Sequence, residues 1–122
     1  MKIAIPSEGE ELDSAVCQSF GRTDYFILAD TETQSFSVLD NEAAAAEGGA
    51  GIKAAQAIAD SGAKAVVTFH CGKNAADVLK AAEIKILKAV PATVRETVEK
   101  FKNGELSELT EIHAGYHGGG SR

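Results

Sequence analysis

The run Ala65-Val66-Val67-Thr68-Phe69 contains no charged residue. Strands with that make-up are buried on both faces, as in the interior of a parallel sheet covered by helices. A helix is expected next, because Ala75, Val78, Leu79 and Ala82 recur at i, i+3, i+4 and i+7. Ile84-Lys85-Ile86-Leu87 then reads as a further strand. A strand, a helix and a strand in that order form a crossover unit, which makes the two strands parallel neighbours.

The first half of the chain supplies three more strands. Lys2 to Pro6 places Ile3 and Ile5 on one face, Tyr25 to Ala29 is apolar, and Ser35 to Leu39 alternates. The turn Asp30-Thr31-Glu32-Thr33-Gln34 joins the last two as a hairpin. The Gly-rich stretch up to Gly51 gives way to a helix from about Gly51 to Ser61, with Ile52, Ala55 and Ala59 on one side and Lys53, Gln56 and Asp60 on the other. Gly62 suits its C-terminus. A last helix opens with the capping box Thr93 and Glu96, carries Val94, Val98 and Phe101 inward, and ends at Asn103-Gly104. Glu105 to Ile112 is expected to pack weakly, and His113 to Arg122, rich in glycine, to be a disordered tail.

The expected architecture is a single α/β domain over residues 1–112, a five-stranded mixed sheet of order 3-2-1-4-5 flanked by helices, with 113–122 as the tail. Strands one and four then flank the point where the chain's path reverses. Open α/β sheets bind ligands there, outside the strand carboxyl ends. The loops Ser7–Ser19, Asn41–Gly51 and His70–Asn74 would share that rim.

Charge and composition remove several function classes. The formal net charge is −6. Nucleic-acid binding needs clustered Lys and Arg, whereas the basic residues here are scattered. There is no Trp and Tyr occurs twice, so no base-stacking platform is evident. No apolar run approaches the roughly 20 residues of a bilayer span. The apolar start is too short for a signal peptide, so a cytoplasmic location is expected.

The rim would gather Cys17, Arg22, His70 and Cys71. Thiolates, with histidine as an occasional replacement, hold iron–sulfur clusters, so Cys17, His70 and Cys71 are candidate metal ligands. The alternative is that both cysteines are inert buried thiols. Arg22 is a candidate partner for an anionic group, or else for Asp24 or Glu11 at the surface. Gly72 and Lys73 at the start of a helix near Asn74 form a weak anion signal. Neither a P-loop nor a dinucleotide fingerprint is present. Metal-dependent nuclease chemistry needs clustered carboxylates, and the first strand has none. His70 and Cys71 are adjacent on an extended segment and would face opposite ways, which argues against a thiol–imidazole pair. His113 and His117 are spaced by four, but Gly115 lies between them and a fixed helical metal site is not expected.

One resemblance ties these pieces together. Ser19-Phe20-Gly21-Arg22-Thr23-Asp24-Tyr25-Phe26, then Asn41, then Gly49-Ala50-Gly51-Ile52, following the opening strand, resembles the dinitrogenase iron–molybdenum cofactor biosynthesis family over about residues 1 to 110. The resemblance implies a ribonuclease-H-like topology and a non-enzymatic role in binding or carrying an iron–sulfur or iron–molybdenum-type cluster or its precursor. It implies a cofactor site of Cys17, Arg22, Asn41, Gly49, Gly51, His70 and Cys71, with cluster-assembly proteins as partners and no nucleic acid or membrane. Members often carry a histidine just before Gly-Ala-Gly, where this chain has Gly48. The competing readings are a metal-free protein-interaction or regulatory module, and an enzyme at the same rim, for which no acid–base pair is identifiable.

Overall fold

The uncharged run becomes an interior strand, β4 (Ala65–Thr68), all four residues of which are buried. The computed structural model describes residues 1–45 and 48–110. Before β4 come β1 (Lys2–Ser7), β2 (Tyr25–Asp30), β3 (Phe36–Asp40), a 3-10 turn at Glu42–Ala45 and α1 (Ala50–Asp60). After it come α2 (Lys73–Ala81), β5 (Lys85–Lys88) and α3 (Val94–Lys102).

The sheet has five strands in the order β3-β2-β1-β4-β5, as the crossover argument requires. β1 runs antiparallel to β2, pairing Lys2 with Asp30 and Ser7 with Tyr25, and parallel to β4 through Ile3–Ala65 and Ala4–Val66. β3 is antiparallel to β2, and β5 is parallel to β4. The C-terminal ends of β1, β3, β4 and β5 therefore point to one edge.

Alternation along β1 and β2 divides the interior into two cores. Ala4, Phe26 and Leu28 join Ala54, Ala55, Ile58, Ala75, Ala76 and Leu79 beneath α1 and α2. Ile3, Ile5, Ile27 and Ala29 join Val67 and Val94 on the opposite face, with Val98 and Phe101 of α3 packed against them. Each fully buried Ile or Leu contributes roughly 1.5–3 kcal/mol relative to an exposed one. The α1 stripe is rotated from the expected one: Ala54, Ala55 and Ile58 are buried, while Ile52 and Ala59 are only partly covered. In α2, Ala82 is the exposed C-cap and not part of the buried stripe, because the helix ends there.

Two connections behave differently from simple loops. Residues 8–19 are pinned to the start of α3: Val94 and Arg95 donate their N–H groups to Ser14 O at 2.9 Å and Leu12 O at 2.8 Å, and Arg95 Nε reaches Asp13 at 2.9 Å. Residues 105–110, expected to pack weakly, are tied down. Lys88 N–H donates to Ser107 O at 2.8 Å and Leu109 N–H to Ile86 O at 2.9 Å, so the segment covers the outer edge of β5. Leu109 is buried in the α1–α2 core. An open strand edge is a template for unwanted pairing, and this segment removes it. The expected tail, 113–122, lies outside the described residues. Among those described, no helix is long and apolar enough to cross a membrane.

Candidate functional site

Three stretches meet at the sheet edge where β1, β3 and β4 end. Residues 18–22, 49–52 and 70–75 line an open depression of about 520 Å³. Its position at the chain reversal between β1 and β4 is where an open α/β sheet places a ligand.

The first wall is the Phe20-Gly21-Arg22 loop. Phe20 is buried and packs edge-on against Phe26, ring centroids 5.4 Å apart, which anchors the loop in the core. Ser19 Oγ accepts the Arg22 N–H at 3.0 Å and closes a tight turn. Gly21 is demanded by the second wall: a β-carbon there would stand 2.9 Å from Gly51 N and 3.1 Å from Gly51 Cα. The second wall is the start of α1. Its N-cap, Gly49, has φ 69°, a left-handed backbone that glycine adopts without strain.

The third wall is the loop leaving β4 and the start of α2. The buried Thr68 hydroxyl donates to His70 O at 3.1 Å and shapes this exit. Side chains then alternate, with His70 exposed and Cys71 buried. Lys73 is exposed and paired with Asp77 at 2.9 Å, one turn further along α2.

Charge sets this depression apart. None of its lining residues is acidic, although the chain as a whole carries a net charge of −6. Arg22, Lys73 and His70 lie on it. So do the first turns of α1 and α2, whose glycine N-caps supply no side-chain cap and which carry no acidic residue. A helix start presents N–H donors and about half a positive charge. By contrast, α3 is closed by the full Thr93–Glu96 capping box. Two other depressions, by β3 and by β5, carry Asp30 with Glu99 and Glu83 with Glu108 respectively.

The expected site residues divide into three groups. Arg22, Gly49, Gly51, His70 and Cys71 all line the depression. Cys71 does so as part of its floor: its thiol belongs to the α1–α2 core, and burial pushes its pKa from 9.0 up to about 11, with the charge of Lys80 pulling weakly the other way. Asn41 lies outside the lining. It is buried, and its side-chain amide donates to Gly21 O at 3.0 Å and Thr23 O at 2.8 Å. Cys17 is half-buried and also outside the lining, its N–H donating to Pro6 O at 2.9 Å. Among the described residues, no three His, Cys, Asp or Glu side chains are grouped as a metal ion would need. Cys17, His70 and Cys71 therefore do not form a ready-made ligand set, because the Cys71 side chain turns inward.

Gly72 with Lys73, and Gly49 with Gly51, are expected from sequence, but that both helix starts lack a side-chain cap is not. The signal for both was the absence of any Asp, Glu, Ser or Thr at either helix entry, in contrast to Thr93. The signal for Cys71 was its spacing of four from Ala75 and eight from Leu79, which continues the buried stripe of α2.

The chain is similar in sequence and fold to several known proteins. The family model described as dinitrogenase iron-molybdenum cofactor matches residues 1–104. The apo form of the orange protein from Desulfovibrio gigas is 36% identical, with 89% of this chain and 92% of that one covered and a TM-score of 0.86. A NifB-like protein from Thermotoga is 38% identical over 91% of this chain and 95% of its own, with a TM-score of 0.79. An uncharacterised protein of Methanocaldococcus jannaschii is 28% identical over 112 residues, 89% of this chain and 92% of its own length.

Proposed function

The chain belongs to the dinitrogenase iron–molybdenum cofactor family, and from that premise we propose that it is a non-enzymatic carrier for an anionic iron–sulfur or iron–molybdenum-type cluster or its precursor. The observation that carries this reading is the depression without acidic lining residues, where Arg22, His70 and two helix starts lacking side-chain caps converge on a protein of net charge −6, with Lys73 at its margin paired to Asp77.

A cluster that brings its own sulfides needs few protein ligands, and its outer sulfur and oxygen atoms accept hydrogen bonds. Backbone N–H groups at the start of α1 and α2 are suited to that, with the helix dipoles favouring the negative charge. The Arg22 guanidinium adds charge-assisted donors. The floor of Phe20 and Cys71 is apolar and suits the weakly hydrated face of a sulfur-rich anion. His70 is the soft donor at the surface of the depression. Such holding is reversible, as a protein handing cargo to cluster-assembly partners requires. The buried, protonated Cys71 is poorly suited to ligate without movement of the loop, since the thiolate is the form that binds metal.

Anaerobic purification followed by metal and sulfide analysis tests the proposal. The reading expects a visible charge-transfer band and stoichiometric metal, both lost on washing with concentrated salt. A colourless, metal-free protein that also fails to take up iron with sulfide, or tetrathiomolybdate, would overturn it in favour of a metal-free interaction module.

A further inference from the structure

We infer that Asn41 is a positioning residue for Arg22, acting on the proposed cargo through the guanidinium and not by contact. The inference rests on the carrier reading above and deepens it.

A closed circuit of hydrogen bonds joins the two residues. The two N–H bonds of the Asn41 side-chain amide go to Gly21 O at 3.0 Å and Thr23 O at 2.8 Å. Those are the carbonyls of the residues on either side of Arg22, so one amide brackets the Arg22 backbone. The Asn41 main chain then starts the 3-10 turn, its carbonyl accepting Ala44 N–H at 3.0 Å. The Ala44 carbonyl in turn accepts Arg22 Nη1 at 2.8 Å. Asn41 N–H donates to Asp24 O at 3.0 Å and fixes the circuit to the end of the β2–β3 pair.

The arrangement explains why asparagine occupies this place. The side chain is 8% exposed and must donate twice to two carbonyls. Aspartate has the same shape but no donor, and would set a carboxylate against two carbonyl oxygens. Leucine or alanine would leave both carbonyls unsatisfied. Arg22 itself is exposed on a long, flexible stem. Holding its backbone and its guanidinium from one rigid corner reduces the entropy lost when it engages an anion.

A double-mutant cycle reads this directly, with tetrathiomolybdate as the probe under anaerobic conditions. Arg22→Ala, Asn41→Asp and Asn41→Ser are titrated singly, and the two Asn41 variants also on the Arg22→Ala background. Serine keeps one donor and adds no charge, and serves if the aspartate variant does not fold. Arg22→Ala is expected to weaken binding about tenfold, Asn41→Asp about tenfold and Asn41→Ser about threefold, with the uncharged Asn41→Ser effect falling below about twofold once Arg22 is absent and the Asn41→Asp effect falling only to what its added charge accounts for. Asn41 effects that persist undiminished without Arg22 would overturn the inference.

A second readout needs no cargo. In side-chain ¹⁵N spectra, the Arg22 Nη protons, assigned by their loss in Arg22→Ala, are expected to exchange slowly in the wild type and rapidly in Asn41→Ser. Unchanged Arg22 exchange in a folded Asn41 variant would refute positioning whether or not any anion binds. Wild-type protein with slow Arg22 exchange but no uptake of probe would instead fault the carrier reading alone.

Discussion

Gly21 and Gly51 meet backbone to side, with no room for a β-carbon between them: one built on Gly21 would lie 2.9 Å from the Gly51 nitrogen. The contact joins the Phe-Gly-Arg loop to the first turn of α1, two walls of the depression. Gly21→Ala must therefore push the loop and helix start apart. The expected cost is about 1–3 kcal/mol in denaturant unfolding, together with weaker anion binding, because the walls separate. Gly51→Ala is the control. Its β-carbon would meet only Ala75 Cβ, at an ordinary 3.5 Å, and alanine favours the helix, so unfolding should change by less than about 1 kcal/mol.

Cys71 should be chemically silent in the native protein. Its pKa, raised from 9.0 to about 11 by burial, keeps the thiol protonated, and its side chain is 1% exposed. With iodoacetamide at neutral pH, Cys17 is expected to label and Cys71 to label only at the rate of unfolding. Mass spectrometry of peptic fragments checks this. Equal labelling of both would show that the floor of the depression opens readily.

The same shift sets a pH dependence. The folded state holds the Cys71 proton more tightly than the unfolded chain does, so its contribution to stability is whole below about 9. It is lost as pH rises from there through about 11. Denaturation midpoints should thus fall over that window, and Cys71→Ala should flatten the fall while lowering stability at neutral pH. A wild-type profile unchanged by Cys71→Ala would show that the thiol does not titrate as the geometry requires.

Leu109 fastens the segment after α3. It is 6% exposed in the α1–α2 core, and its N–H bonds Ile86 O at 2.9 Å. Leu109→Ala should cost about 2–4 kcal/mol in equilibrium unfolding. Ending the chain at Gly104 would uncover β5, and light scattering should then report association through the exposed strand edge.

Much of the fold was legible because it rests on local signals. The uncharged β4, the Thr93–Glu96 box and the hairpin turn each follow from a few neighbouring residues, and the strand order follows from the crossovers. What escaped notice depends on distant residues. Leu106 and Leu109 look like isolated hydrophobics until β5 supplies an edge to pair with. Asn41 enters the expected site only through the family resemblance, and its side-chain partners are carbonyls about 20 positions away. The two cysteines suggested a soft-metal pair, but a thiol is also a small apolar group, and Cys71 follows the inward stripe of α2. Part of the positive character of the depression comes from helix starts, which carry no charge in the amino-acid alphabet.

In the proposed carrier, cargo is held by charge, so the decisive measurement is an anaerobic tetrathiomolybdate titration of the wild type and of a Cys17→Ser/Cys71→Ala variant. Salt is raised from about 0.05 M to about 0.5 M, which shortens the screening length about threefold. The predicted result is equal affinity for both proteins, weakening at least about tenfold over that range, with Arg22→Ala weaker at low salt. Binding that ignores salt and vanishes with the thiols would contradict it.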